Sequence, residues 1–383
     1  MPITRARHAT FAFFVLNGFS LGMWVVNIPE IRDRTGISTT TLGYLLLLIG
    51  GAAFVGMQLG GRLIDHFGSR TVTSIAGVVL SLTLIGPASA RNAVSLAVAL
   101  ALLGFANGII DVSQNAQAVE VERAFGRHIM SAFHAFFSLG NLLAALVGGA
   151  LIGLGTDLRV SLITASAFGV VVALFAQHWL LRVTPTPPVK GVARAPWTRR
   201  VVILGLLAFA LMLSEGVAYD WSTVHLTDSL GSSKTVAAWA FGAFAVTMTV
   251  VRLVADRIVH RIGPARYVQV AALIGALGLT SAALAPNAPL AIASWGLFGI
   301  GLAGCVPQFF SAAGNVDPSA SGTYLARVAG FGYVGLLAGP AVIGILTEWI
   351  PLTTTFTIPI VCCVAGGLLA PGALKGGVHE SSA

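Results

Sequence analysis

Two apolar runs, residues 41–60 and 71–88, flank the ten residues Gly61-Arg62-Leu63-Ile64-Asp65-His66-Phe67-Gly68-Ser69-Arg70, and no other stretch so narrows what the chain can become. Each run is long enough to cross a bilayer, because about 20 residues at roughly 1.5 Å rise match the hydrocarbon core. A polar turn of ten residues between them makes the two helices antiparallel neighbours. It also holds a carboxylate, two guanidiniums and two glycines at the water interface. The pattern recurs: spans are read at 9–28, 41–60, 71–88, 93–118, 132–154 and 160–181, then at 201–224, 235–255, 268–285, 290–314, 323–346 and 353–370. Twelve such spans use about 240 positions, leaving about a dozen residues per connection and no soluble domain. Composition agrees, since only 9% of the 383 residues are charged against about 25% in soluble domains.

The bases set an orientation. Of 22 Lys and Arg, seventeen fall nearest helix ends on one side of the expected topology, and Arg32, Arg34, Arg91, Arg159 and Lys234 lie on the other. The rich side faces the cytoplasm, so both termini are inside. The net charge of +8 sits in loops rather than on one face, which argues against nucleic acid and for a lipid bilayer as the partner. Cys305, Cys362 and Cys363 lie in apolar segments without metal-ligand spacing and read as packed thiols. The first apolar segment lacks a small-residue cleavage site and reads as a retained helix.

A basic, proline-rich stretch with Pro185, Pro187, Pro188 and Pro196 stays extended at the interface. It separates a six-helix bundle at 1–182 from another at 199–383, with a cytoplasmic linker at 183–198. The halves carry weak internal similarity, which supports an internal duplication. Asn17-Gly18 followed by Trp24 matches Glu215-Gly216 followed by Trp221. The same offset sets Gly68 near Gly263, making His260–Arg266 a degraded copy of the first loop. Its carboxylate, Asp256, follows Arg252 by four residues, so the two can pair on one helix face. Glycines four apart (Gly56 and Gly60, Gly104 and Gly108, Gly335 and Gly339) let helix backbones approach closely.

Spaced G-x-L-x-D-x-x-G-x-R, the stretch from Gly61 to Arg70 resembles the signature loop between the second and third helices of the major facilitator superfamily. The resemblance implies an all-α membrane protein with twelve transmembrane helices in two pseudo-symmetric six-helix bundles. It also implies a latch in which Asp65, Arg62 and Arg70 hold neighbouring helix ends on the cytoplasmic side, with Glu120 or Glu122 as partner of Arg70. Arg252 and Asp256 stand in the corresponding place of the second half. Ile64 departs from the small residue usual there, and His66 and Ser69 replace bases, which weakens the latch. Arg327, four residues into the eleventh span, either snorkels to water or pairs with Asp111, Glu120 or Glu122 across a gate.

An ionisable group inside a span costs about 2.5–3.5 kcal/mol when exposed to lipid, so each one is a functional candidate. Asn107, Asp111, Gln114 and Asn115 share one face of the fourth helix, and Glu215 lies in the seventh. A carboxylic acid from a reference pKa near 3.9 costs about 4 kcal/mol to protonate at pH 7, close to the cost of leaving it charged in the bilayer. A ligand or a nearby charge can decide between the two states, which is what proton coupling requires. Asp111 also resembles the mid-helix acid that fucose–proton symporters of this superfamily carry in their fourth helix. His134, with Ser138 and Asn141 on its face, can meet the Asp111 face across a short hairpin. Glu215, Asp111 and His134 are the proton-coupling candidates.

The substrate-binding candidates are Asn17, Trp24, Asn27, Asn107, Gln114, Asn115, Asn141, Tyr219, Trp221, Gln308 and Tyr333. Amides and aromatic rings suit a neutral, hydroxyl-rich ligand. No Lys or Arg lies near a span centre, which disfavours sugar phosphates. Gly299–Gly304 fits a dinucleotide fingerprint and Gly18–Gly22 a nucleophile elbow, but both lie inside apolar spans without a strand. No phosphate loop, catalytic nucleophile set or metal set is found, so the chain reads as a non-enzyme without a cofactor, driven by a proton gradient. The expectation is a monomeric transporter of a small polar solute in a bacterial cytoplasmic membrane. Efflux of a metabolite or drug stays open, although Gly148-Gly149 lacks the proline that the fifth helix of many efflux relatives carries. A non-transporting sensor or assembly protein is the other alternative.

Overall fold

The computed structural model describes residues 3–37, 39–182, 196–232 and 234–374, and every regular element among them is helical. In chain order these are α1 (Ile3–Val26), α2 (Ile28–Thr35), α3 (Thr39–Phe67), α4 (Ser69–Thr83), α5 (Ile85–Ser89), α6 (Ala93–Phe125), α7 (Met130–Gly153) and α8 (Leu158–Ala176). After the linker, of which 183–195 lie outside the described residues, come α9 (Arg199–Val224), α10 (Lys234–Ile262), α11 (Pro264–Ala283), α12 (Ala288–Leu302), α13 (Cys305–Gly314), α14 (Ser321–Leu346), α15 (Leu352–Thr355) and α16 (Thr357–Leu374). Among the described residues, eleven helical stretches are long and apolar enough to cross a membrane. The span expected at 235–255 is present as α10, 29 residues long; its second half carries Arg252, Asp256, Arg257 and Arg261, and it is not one of the eleven.

The structure corrects several boundaries. The ten-residue polar turn is helix at both ends: α3 runs on through Phe67 and α4 starts at Ser69, leaving Gly68 alone as the turn at φ 81°, ψ 151°. Gly263 does the same between α10 and α11 at φ 79°, ψ 156°. This backbone region is essentially restricted to glycine, so one residue reverses the chain and the flanking polar residues stay helical. The span read as continuous over 290–314 breaks at Ala303 and Gly304, where Gly304 takes φ 74° and Tyr267 Oη donates to the Ala303 carbonyl at 2.6 Å. The first span stops at Asn27, and Pro29 helps open the short helix α2. α9 ends in a π-turn, His225–Ser229.

The chain divides into two compact units, Met1–Arg127 with Phe133–Ala195 and Asp317–Ala326, and His128–Ala132 with Pro196–Val316 and Arg327–Ala383. In the first, α3 lies on α6 with almost no gap. A Cβ on Gly104 or Gly108 would run into the backbone carbonyl of Ile49 or Ala53, and one on Gly56 into that of Phe105. The polarity of α6 is inverted relative to a soluble helix: Asn107, Asp111, Gln114 and Asn115 are buried, whereas Val94, Val98 and Leu102, four apart, are exposed. That arrangement suits a helix with hydrocarbon outside and polar partners inside. The second unit centres on Phe244, Trp295, Phe298 and Phe356, all fully buried, with aromatic pairs at 5.6–5.8 Å between ring centres.

Candidate functional site

In the first unit, α6 and α7 bring three candidates into one chain of contacts. Asn115 Nδ2 donates to the Asp111 carbonyl at 2.8 Å and lies 3.5 Å from Asp111 Oδ1. The oxygen of the same amide faces His134 Nε2 at 3.1 Å. An amide oxygen can only accept, so in this arrangement Nε2 carries the proton. The hairpin meeting expected from the sequence is therefore formed, with Asn115 as the intermediary. On α1, Asn17 is 1% exposed, and neither polar atom of its side chain has a hydrogen-bond partner among the described residues. The same holds for both polar atoms of Gln114, which is fully buried, and for the Asn107 oxygen. Burying such atoms unpaired costs about 1–3 kcal/mol each, which marks Asn17 and Gln114 as candidates on both their donor and acceptor sides and Asn107 on its acceptor side.

In the second unit, the buried carboxylate of Glu215 on α9 meets Arg252 Nη2 of α10 at 3.3 Å and accepts from Tyr219 Oη at 3.2 Å. The sequence reading placed no base near a span centre. That reading ended the span at 255, whereas α10 runs on to Ile262; Arg252 therefore lies close to the middle of its helix, and its guanidinium reaches the Glu215 carboxylate. Tyr219 is half exposed, with its hydroxyl directed to Glu215. Gln308 Nε2 donates to Ser131 Oγ at 3.2 Å. Trp221 Nε1 donates to the Pro340 carbonyl and Asn27 Nδ2 to the Met23 carbonyl, so both hold helix backbone. Trp24 is buried, and Asn141 Nδ2 lies 3.4 Å from the Phe137 carbonyl; Tyr333 is partly buried.

Two carboxylates sit at helix N-termini, where backbone N–H groups lack intrahelical partners. Asp65 accepts from the Gly322 N–H at 3.1 Å and from the Thr323 hydroxyl, at the start of α14. Asp256 accepts from the Ser131 and Ala132 N–H groups at 3.0 and 2.7 Å, at the start of α7. The duplication inferred from the sequence thus has a geometric counterpart. Gly18 and Gly216 add a second one: a Cβ on the first would meet the Phe137 carbonyl of α7, and on the second the Leu336 carbonyl of α14.

The expected pairing of Arg70 with Glu120 or Glu122 is not what forms. Arg70 donates to the Gln177 carbonyl at 3.2 and 3.4 Å, because α4 starts immediately after Gly68 and directs it toward the end of α8. Ser69, read from the sequence as a lost base, takes Glu120 instead, with Oγ 2.5 Å from Oε2 and 3.1 Å from Gln117 Oε1. Arg62 is exposed. Arg327 donates to the Pro196 carbonyl at 3.1 Å and lies 4.4 Å above the Trp197 ring. Sequence reasoning also missed His225, whose Nδ1 accepts from Trp295 Nε1 at 3.3 Å inside the aromatic cluster. Nothing local distinguishes a packed histidine of this kind.

Bilayer-length helices in two compact units, with carboxylates set against the start of one helix in each, describe a polytopic membrane protein. The family comparison agrees: the Major Facilitator Superfamily profile matches residues 10–222 and 204–382. An uncharacterized MFS-type transporter of Yersinia pestis is 36% identical over 348 residues, covering 90% of this chain and 89% of the relative. The chain belongs to the major facilitator superfamily; it is a multi-pass membrane transporter of small molecules and not an enzyme. Among solved structures, the E. coli fucose:proton symporter FucP covers 96% of this chain and 98% of its own, at TM-score 0.80 and 14% identity. The human organic anion transporter MFSD10 covers 97% of this chain and all of its own, at TM-score 0.80 and 17% identity. Those likenesses concern the fold.

Proposed function

We propose that this transporter moves a small, neutral, hydroxyl-bearing solute across a bacterial cytoplasmic membrane, both termini inside, and couples the movement to protons. The observation that carries the reading is a set of buried polar atoms with no hydrogen-bond partner among the described residues: both side-chain polar atoms of Asn17 on α1 and of Gln114 on α6, and the Asn107 oxygen. Asn17 and Gln114 each offer both a donor and an acceptor, Asn107 offers an acceptor, and a polyol or sugar hydroxyl answers both kinds. Asp111, linked through Asn115 to His134, supplies the proton site. Glu215 with Arg252 supplies a second charged centre that can open when a ligand or proton intervenes. Alternating exposure to the two sides follows the mechanism general to such duplicated bundles. Likeness to a fucose:proton symporter supports this reading; likeness to an organic anion transporter is compatible with a ligand that uses Arg252.

The test begins with purified protein screened by thermal shift against sugars, polyols, amino acids and organic anions at two pH values. The stabilising compound is then followed in proteoliposomes. Gln114→Ala and Asn17→Ala should each weaken binding about tenfold or more. Asp111→Asn should abolish uptake driven by a pH gradient while leaving exchange of labelled for unlabelled solute intact. Stabilisation by anions alone would overturn the neutral-solute assignment. Gradient-driven transport unchanged in Asp111→Asn and in His134→Gln would overturn the proton assignment.

A further inference from the structure

Away from the buried amides, the first unit contains a groove of about 1010 Å³ lined only by α1, α7 and α8. Its volume is at the upper end of the roughly 300–1,000 Å³ usual for small-molecule sites. Phe11, Val15, Phe19, Leu143 and Phe168 make up its middle, and Arg7 and His8 stand at one end. From Arg7 to Met23 the lining residues of α1 cover about 24 Å at 1.5 Å per residue. One leaflet's share of the hydrocarbon core is about 15 Å, so the groove is long enough for a single extended chain.

The charge at its end is unusual. Arg7 Nε is buried without a hydrogen-bond partner among the described residues. The guanidinium lies 5.8 Å from the Phe11 ring centre and 5.1 Å from that of Phe125, and no carboxylate forms an ion pair with it among the described residues. Aromatic faces orient a guanidinium but do not neutralise it. Its planar N–H fork suits a phosphate, and at a membrane interface the available phosphate belongs to lipid headgroups. At the far end, Ser161 is 2% exposed, lines the groove and has an unpartnered hydroxyl.

We propose that the groove between α1, α7 and α8 holds one acyl chain of an anionic phospholipid, whose phosphate rests on Arg7 beside His8. The lipid comes from the leaflet at the amino-terminal end of α1, and its chain runs along Phe11, Val15 and Phe168. This site is separate from the residues assigned to solute and protons, so it stands or falls independently of them.

The experiment uses the full-length protein in detergent, titrated with phosphatidylglycerol or with phosphatidylcholine of identical chains, and read by native mass spectrometry and by thermal shift. The wild type should retain phosphatidylglycerol at least tenfold more tightly than phosphatidylcholine. Arg7→Gln should remove that preference and Arg7→Lys should keep most of it. Ala12→Phe, which fills the groove, should weaken both lipids, and glycerol phosphate without chains should not compete. Equal retention of the two lipids by the wild type, a preference unchanged in Arg7→Gln, or full competition by glycerol phosphate would each overturn the assignment. Should Ala12→Phe fail to fold, the headgroup arm with Arg7→Gln and Arg7→Lys decides alone.

Discussion

Glu215→Gln and Arg252→Met, singly and together, give the sharpest test of the second unit. The two charged atoms are 3.3 Å apart and both side chains are about nine-tenths buried. At an effective dielectric of about 20, Coulomb attraction at that distance is about 5 kcal/mol, most of it offset by desolvating two ions. Removing one partner takes away the attraction while the burial of the other charge remains, a loss of about 3–5 kcal/mol. Removing both eliminates the two desolvation penalties along with the attraction, so the double variant should lie within about 2 kcal/mol of wild type. The coupling between the sites should therefore be at least about 4 kcal/mol. Thermal unfolding of the purified protein, with loss of monomer followed by size exclusion, ranks the four proteins. Both single variants should be clearly less stable than the double variant. Effects that add within about 0.5 kcal/mol, the limit for independent sites, would refute the claim that this pair is held as a buried unit.

Two other perturbations follow from the packing. Asp65→Ala and Asp256→Ala each remove an acceptor from backbone N–H groups at a helix start. Each should lower stability by about 0.5–2 kcal/mol, with Asn recovering part of the loss, as measured by unfolding temperature. Gly108→Leu forces a side chain against the Ala53 backbone and should cost about 1–3 kcal/mol or more, whereas Gly149→Leu, where no atom lies within reach of a Cβ, should express and unfold like the wild type.

Much of this protein is legible in its sequence. Apolar runs of bilayer length announce spanning helices, because an unpaired backbone cannot face lipid. Glycines four apart mark close helix contacts, and the partners of Gly56, Gly104 and Gly108 are indeed backbone atoms. Asp111, Asn115 and His134 were selected on helical spacing, and they do meet. The offset that set Gly68 against Gly263 foretold two turns with nearly the same backbone angles.

What only the tertiary structure decided is which polar group meets which. Glu215 and Arg252 are 37 positions apart and Asp256 and Ser131 are 125 apart, distances over which no periodicity informs. Arg70 and Ser69 exchanged expected roles because one glycine, rather than a ten-residue loop, makes the turn and so sets where each side chain points. The length and polarity of a run are properties of consecutive residues, and the sequence by itself determines them. A hydrogen bond between helices depends on crossing angle and rotation, which arise only when the small residues let the helices close upon one another.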